Sequence, residues 1–351
     1  MKRIELLIKK LLLNLLLLFK SGKMKDPSVF NSGSKILFIR LNRIGDALVV
    51  TPLLKLIKDN LRCEIHVLAD KKNYFVFANN PSIDNIIVFN KGLHRFWEIL
   101  KLIKKVNYDA VVDLHDDVSN TVTFLLAFCE AKNIFGLKKA NHVVYTKTVE
   151  KLESSKTHVV DRNLELAKLF NIKPEKEKIN IQYYPKEESI NKIRIELNKI
   201  NPYNKFLAGI NISAGDEARF WGVERFRELI KFLIQYDLNY ILLTTEQDKD
   251  LGLKIVKDPG KIFYTTSFDE FAAMISVLSL LFTPDTSTVH LASAFKIPVF
   301  GLYVKYKTND MIWSPYLSDF KYVLTTEPTL DNLSYEQVIK KFQPFLEKHL
   351  V

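Results

Sequence analysis

The stretch Phe282-Thr283-Pro284-Asp285-Thr286-Ser287-Thr288-Val289-His290-Leu291-Ala292-Ser293-Ala294 decides how this chain is read. An apolar run from Val277 to Phe282 leads into it and Ile297-Pro298-Val299-Phe300-Gly301-Leu302-Tyr303 follows, so it reads as strand, tight loop, helix and next strand. Pro284 ends the strand, and Asp285, Thr286 and Ser287 carry oxygens of the kind that cap the free N–H groups of a first helical turn. Those N–H groups and the positive end of the helix dipole suit an anion, so a donor phosphate fits there. His290 follows Thr286 by four residues and shares its face, while Ala292, Ser293 and Ala294 are small enough to let the helix lie close on a sheet. Taken alone, the pattern describes a well-capped helix equally well, with His290 an ordinary surface or core histidine.

The same unit recurs near the start of the chain. Lys35-Ile36-Leu37-Phe38-Ile39-Arg40 is a β-rich run, Leu41-Asn42-Arg43-Ile44-Gly45-Asp46 a loop, and Ala47 to Lys58 has helical period. Gly45 permits a close turn, and Asp46 either caps the helix or points its carboxylate into a cleft. Strands at Glu64–Leu68, Asn85–Phe89 and Ala110–His115 alternate with helices at Tyr74–Asn79, Phe96–Lys105 and Val118–Phe128, which predicts a parallel, doubly wound sheet. Ligands of such sheets gather at the carboxyl ends of the strands, where Asp46, Asp113 and His115 fall. For Asp113 and His115, loop hydrogen bonding is the competing role.

A Lys-, Glu- and Pro-rich connection from Asn171 to Glu188, with a strand-like Ile179–Tyr184 inside it, leads to a second alternating series. Its strands are expected at Phe206–Ile212, Tyr240–Leu243, Ile262–Tyr264, Leu278–Phe282 and Val299–Leu302, with a terminal helix from Ser334 to His349 of the kind that often crosses back to the first domain. At 351 residues, two domains are expected: 31–180 and 181–351, preceded by a segment of residues 1–30.

Composition narrows the classes. Hydrophobic residues at 47% and charged residues at 26% are those of a globular protein, which sets disorder aside for most of the chain. Cys63 and Cys129 form neither a disulfide framework nor a Cys/His cluster, and no acidic cluster has metal-ligand spacing, so no metal or other cofactor is expected. The net charge of +11 is uneven: residues 1–25 hold seven Lys and Arg against Glu5, a net +6, leaving a mild +5 elsewhere and no basic helix interleaved with aromatics, so nucleic acid is not the expected partner. In residues 4–19, Ile4, Leu7, Ile8, Leu11, Leu12, Leu15, Leu18 and Phe19 share a face away from Glu5, Lys9, Lys10 and Asn14, which predicts an amphipathic helix on an anionic membrane surface. The run is too short to span, and the Lys20 to Lys25 region lacks a cleavage site. A helix packed on the protein's own body, or a signal or span, are the other readings.

The run Pro284-Asp285-Thr286-Ser287 with His290, Leu291 and Ala292 resembles the C-terminal signature of the bacterial heptosyltransferases, glycosyltransferase family 9. The stretch Ile39-Arg40 through Ile44-Gly45-Asp46 to Thr51-Pro52 resembles the same family's N-terminal signature, whose aspartate is its proposed catalytic base. Thr157–Arg162 and Trp313-Ser314-Pro315-Tyr316 are similar to further segments of that family. After Ser213-Ala214-Gly215, Arg219 precedes Phe220-Trp221 where the family places a Lys or Arg on the donor phosphate.

The resemblance implies two Rossmann-like domains facing across a cleft, the GT-B arrangement, and inverting transfer of heptose or a related sugar from a nucleotide-diphosphate donor, ADP-heptose by expectation, to a lipopolysaccharide core or similar glycolipid. The implied catalytic residue is Asp46, and the expected donor contacts are Ser213, Arg219, Asp285, Thr286, Ser287 and His290; Glu246, by its place after the strand ending at Leu243, is either a ribose or base contact or a solvated loop carboxylate, and Arg43, Asp113 and His115 are the expected acceptor contacts. A cytoplasmic enzyme peripheral on the inner face of the inner membrane follows. A GT-B sugar-nucleotide epimerase and a non-catalytic membrane-bound scaffold for glycan assembly are the alternatives.

Overall fold

The computed structural model describes residues 29–350 except Asn42, Lys91 and Ala214. The expected N-terminal amphipathic helix therefore lies outside the described residues. The chain forms two compact units, one holding the residues up to Glu153 with Val159–Ile179, the other Ser154–His158 with the residues from Asn180 onward.

In the first unit, six parallel strands are β1 (Lys35–Arg40), β2 (Glu64–Asp70), β3 (Asn85–Phe89), β4 (Ala110–Asp113), β5 (Asn133–Leu137) and β6 (Lys147–Val149), in the order β3-β2-β1-β4-β5-β6. β1 is central, with Phe38 opposite Val67 on one side and Val112 on the other, and Ile36 to Arg40 are buried, as a strand covered on both faces must be. Helices α1 (Ile44–Leu48), α2 (Thr51–Leu61), α3 (Leu93–Val106), α4 (Asn120–Phe128) and α5 (Val159–Leu164) follow or cross the sheet. On one face, Ile99, Leu100 and Ile103 of α3 and Val122, Leu125 and Leu126 of α4 join Leu37, Ile39 and Val111 in a core cluster. Pro52 in the first turn of α2 and Arg62 in a left-handed conformation after its last turn mark where that helix starts and stops.

The second unit repeats the topology. Its strands β7 (Leu207–Asn211), β8 (Asn239–Thr244), β9 (Ile262–Tyr264), β10 (Leu280–Pro284), β11 (Val299–Val304) and β12 (Phe320–Thr325) are parallel and ordered β12-β11-β10-β7-β8-β9. With them come α6 (Glu187–Ile200), α7 (Val223–Gln235), α8 (Lys249–Ile255), α9 (Phe268–Ser276), α10 (Ser287–Ala294) and α11 (Tyr335–Lys348). In α11 a capping box, Ser334 Oγ accepting from Gln337 N at 3.3 Å and Gln337 Oε1 accepting from Ser334 N at 3.0 Å, fixes the start.

Two expectations are corrected. Tyr74–Asn79 gives only a 3₁₀ turn, Tyr74–Val76. Ile179–Tyr184 is no strand: Tyr183 OH and Lys186 N donate to Asp269, and Asn180 Nδ2 to the Ser293 carbonyl, so side chains rather than a ladder pin it. Strands β5, β6 and β12 had not been expected. The terminal helix places Val338, Phe342, Phe345 and Leu346 in the core of its own unit, where Phe342 meets Phe282 and Phe300 edge-on at 5.3 and 5.1 Å.

Candidate functional site

Both sheets reverse strand order between two neighbours, β1/β4 in the first unit and β7/β10 in the second, and ligands of such sheets bind outside the carboxyl ends at this point. The expected site residues fall at these two corners or beside them.

At the first corner, β1 ends in Arg40, a guanidinium only 1% exposed. Its Nη2 donates to Asp46 Oδ1 at 2.6 Å, its Nε to the Asp46 carbonyl at 3.1 Å, and its Nη1 to the Leu114 carbonyl. One side chain thus ties the start of α1 to the end of β4. Asp46 lies in the first turn of α1 and makes no N-cap bond; that cap position is held by the exposed Arg43, whose side chain does not cap either. With Oδ1 taken by Arg40, Asp46 Oδ2 has no hydrogen bond among the described residues.

Asp113 and His115 sit behind this corner and are almost wholly buried. Asp113 Oδ1 accepts from His115 N at 2.9 Å and from His115 Nδ1 at 2.7 Å, and Oδ2 accepts from Lys139 Nζ at 2.9 Å and Tyr145 OH at 2.7 Å. His115 Nε2 in turn accepts from Leu41 N at 3.1 Å, which fixes the neutral tautomer with the proton on Nδ1. Burial alone would raise the Asp113 carboxyl, but His115, Lys139 and Tyr145 outweigh it and hold it far below its ordinary range. Burial, only partly offset by Asp113, lowers His115 as well. Every polar atom of the pair is thus engaged with protein, and the pair fixes the loop that carries Asp46.

At the second corner, Thr286 is the N-cap of α10 and its Oγ1 accepts from Thr288 N at 3.2 Å. Ser287 opens the helix, and its hydroxyl has no hydrogen bond among the described residues. Arg219 Nη1 donates to the Asp285 carbonyl at 2.5 Å, and its Nη2 stands 3.7 Å from Asp285 Oδ2, so a cation is parked beside the helix N-terminus. The loop holding Arg219 is set by Asp216, whose carboxylate accepts from Ala218 N, and by the fully buried Trp221, which packs on Phe226 and Phe282 and donates to the Leu333 carbonyl at 2.9 Å. Burial pushes the Asp285 carboxyl above its ordinary value, and Arg219 pulls it back.

Ser213 Oγ donates to Asp248 Oδ2 at 2.6 Å and accepts from Thr245 N at 3.0 Å, so it laces the loop after β7 to the loop after β8. Glu246 lies exposed in the second of these loops. Asn211 Nδ2 bonds Thr283 Oγ1 at 2.9 Å across the switch point. His290 is buried one turn into α10, with Trp313 at 5.9 Å between ring centroids and Nδ1 unpartnered among the described residues. Burial, with His158 nearby, pushes its imidazole down to about 3.

The sequence reading passed over Arg40, Lys139, Tyr145 and Asp248 as individual residues. Arg40 had a signal, a charge closing an otherwise apolar strand. Lys139 and Tyr145 had none, since they reach Asp113 from 26 and 32 residues away. Among the described residues, no group of three or more His, Cys, Asp or Glu is placed to hold a metal ion, and no helix is long and apolar enough to cross a membrane.

Both units are Rossmann-like α/β domains, with a carboxylate beside the switch point of one and a cation beside a helix N-terminus at that of the other. Residues 96–343 match glycosyltransferase family 9 (heptosyltransferase), and the chain belongs to that family. It is 26% identical over 294 residues to lipopolysaccharide heptosyltransferase 3 of Escherichia coli, covering 78% of this chain and 82% of that protein. Among solved structures, a family 9 glycosyltransferase from Veillonella parvula superposes with a TM-score of 0.80 at 18% identity, over 92% of this chain and all of that one. E. coli ADP-heptose lps heptosyltransferase II gives 0.72 at 17% identity, over 90% of this chain and all of that one. Family membership decides for a glycosyltransferase against the epimerase and scaffold readings.

Proposed function

We propose that this enzyme transfers heptose, or a closely related sugar, from ADP-heptose to a lipopolysaccharide core or similar glycolipid, with inversion at the anomeric carbon. The observation that carries the reading is Arg219 held against the Asp285 carbonyl at 2.5 Å, which sets a guanidinium and a helix N-terminus at one corner. A nucleoside diphosphate needs that combination, both as it binds and as it leaves with growing charge. The names of the E. coli relatives, which specify lipopolysaccharide and ADP-heptose, support the same substrates.

In this reading Asp46 takes the proton from the acceptor hydroxyl through its open Oδ2 as that oxygen attacks, with Arg40 holding the carboxylate in place. Thr286, Ser287 and Arg219 hold the diphosphate, Asp285 holds Arg219, and Glu246 meets the ribose or base. Ser213 shapes the donor loop, and His290 supplies a neutral wall beneath it. Arg43 meets the acceptor; Asp113 and His115 act on it through the loop they fix. Residues 1–25 hold the enzyme on an anionic inner-membrane face.

Turnover of the full chain with a panel of sugar nucleotides and truncated lipopolysaccharide acceptors, read by product mass, tests the proposal. A heptose-sized mass added from ADP-heptose is the expected result. Transfer only from a uridine or guanosine donor, or only to a lipid-free acceptor, overturns it.

A further inference from the structure

Helix α3 has an outer face that its sheet does not explain. Ile99, Leu100 and Ile103 bury the inner face, as an amphipathic helix should, yet Leu93 is 81% exposed and Trp97 55% exposed on the outside. Phe128, at the end of α4, is 49% exposed and lies beside Trp97 with ring centroids 6.4 Å apart. Leu93, Trp97, Lys101 and Lys104 follow one another at spacings of four, four and three, which puts them on one stripe with Lys105 beside it, all of these side chains exposed, while Arg95 lies across the helix, paired with Glu98 at 2.6 Å. The helix carries Arg95, Lys101, Lys104 and Lys105 against Glu98 alone, a net +3. Lys104 is paired with Glu130 at 2.9 Å, but both are largely exposed, so the pair is weak and can open.

We infer that this stripe is a second membrane-docking surface, with Leu93, Trp97 and Phe128 entering the headgroup layer of an anionic bilayer and the lysines meeting its phosphates. The chemistry favours lipid over protein: lysine is depleted at protein interfaces, whereas exposed Trp and Leu beside a row of lysines is how interfacial helices bind anionic membranes. A second copy meeting this face would set like charges against each other. The inference deepens the membrane reading above and rests on it for the partner, but it uses residues of the folded first unit instead of residues 1–25.

The test uses the full chain, flotation with vesicles of phosphatidylglycerol and phosphatidylethanolamine, and fluorescence quenching by brominated lipids. Of the other two tryptophans Trp221 is fully buried and Trp313 half-buried, so the share of quenching that disappears in Trp97→Phe while binding persists reports Trp97 inside the bilayer. Leu93→Glu/Trp97→Glu should weaken binding at least tenfold with turnover on a soluble acceptor unchanged, and Lys101→Glu should weaken it about fivefold or more. Binding without loss of quenching in Trp97→Phe assigns the contact to residues 1–25 alone and overturns the inference, as does unchanged binding in the double variant. A dimer of the full chain that the double variant dissolves assigns the face to a second copy and overturns it too.

Discussion

Arg40 Nη2 meets Asp46 Oδ1 at 2.6 Å, joining a guanidinium 1% exposed to a carboxylate that is still 14% exposed. The cation is therefore committed to the protein, while the anion keeps an edge toward solvent. That asymmetry suits a base, which must be fixed in direction yet reachable.

Asp46→Asn keeps the shape but neither takes a proton nor balances Arg40. Turnover should fall at least a hundredfold, the usual worth of a general base. Thermal stability should fall as well, because removing one partner of a buried ion pair leaves a charge uncompensated. Donor affinity measured by calorimetry should stay within about twofold. Near-normal turnover would remove Asp46 from catalysis.

Arg219→Ala removes the cation at the start of α10. A charged hydrogen bond to phosphate contributes about 1.5–3 kcal/mol, so ADP affinity should drop roughly ten- to hundredfold. Arg219→Lys should recover only part, since an ammonium cannot reach the Asp285 carbonyl and a phosphate in the same forked geometry. Calorimetric titration with ADP decides, and unchanged affinity in the alanine variant would sink this assignment.

Lys139→Met leaves the fully buried Asp113 carboxylate without its cation. The expected loss is about 3–5 kcal/mol in unfolding by denaturant, with Tyr145→Phe costing less, about 1–3 kcal/mol. Because Asp113 and His115 act through the Leu41 backbone, Tyr145→Phe should change turnover far less than stability. The reverse pattern would give the pair a direct contact with substrate.

His290, pushed down to about 3 in the folded protein, is protonated near 6.5 once unfolded. Between those values the unfolded chain holds the extra proton, so stability rises with pH there and is lost as pH falls from about 6.5 toward 3. The slope from this one group approaches about 1.4 kcal/mol per pH unit, and His115, also lowered, adds to it. Unfolding free energies between pH 7.5 and 5 should be flatter in His290→Gln than in the parent. Equal slopes would mean the imidazole already finds a proton partner in the fold.

What the sequence alone determined is whatever local chemistry writes. Strand β1 is readable because both of its faces are buried and the run is apolar; the corner at Pro284 to Ser287 is readable because capping oxygens must sit next to the helix they cap. For the same reason Asp46, Arg219 and His290 could be placed on loops and helix starts before any fold was known. Only the tertiary structure decided which atoms face which. It joined Arg40 to Asp46, brought Lys139 and Tyr145 onto Asp113, turned the expected acceptor contacts Asp113 and His115 inward, and left His290 Nδ1 without a partner among the described residues. It also decided the short strands β6 and β12, where only the pairing with a neighbour makes a strand. Hydrogen bonds between distant segments and the dielectric around a buried group depend on the packed whole, and no window of sequence contains them.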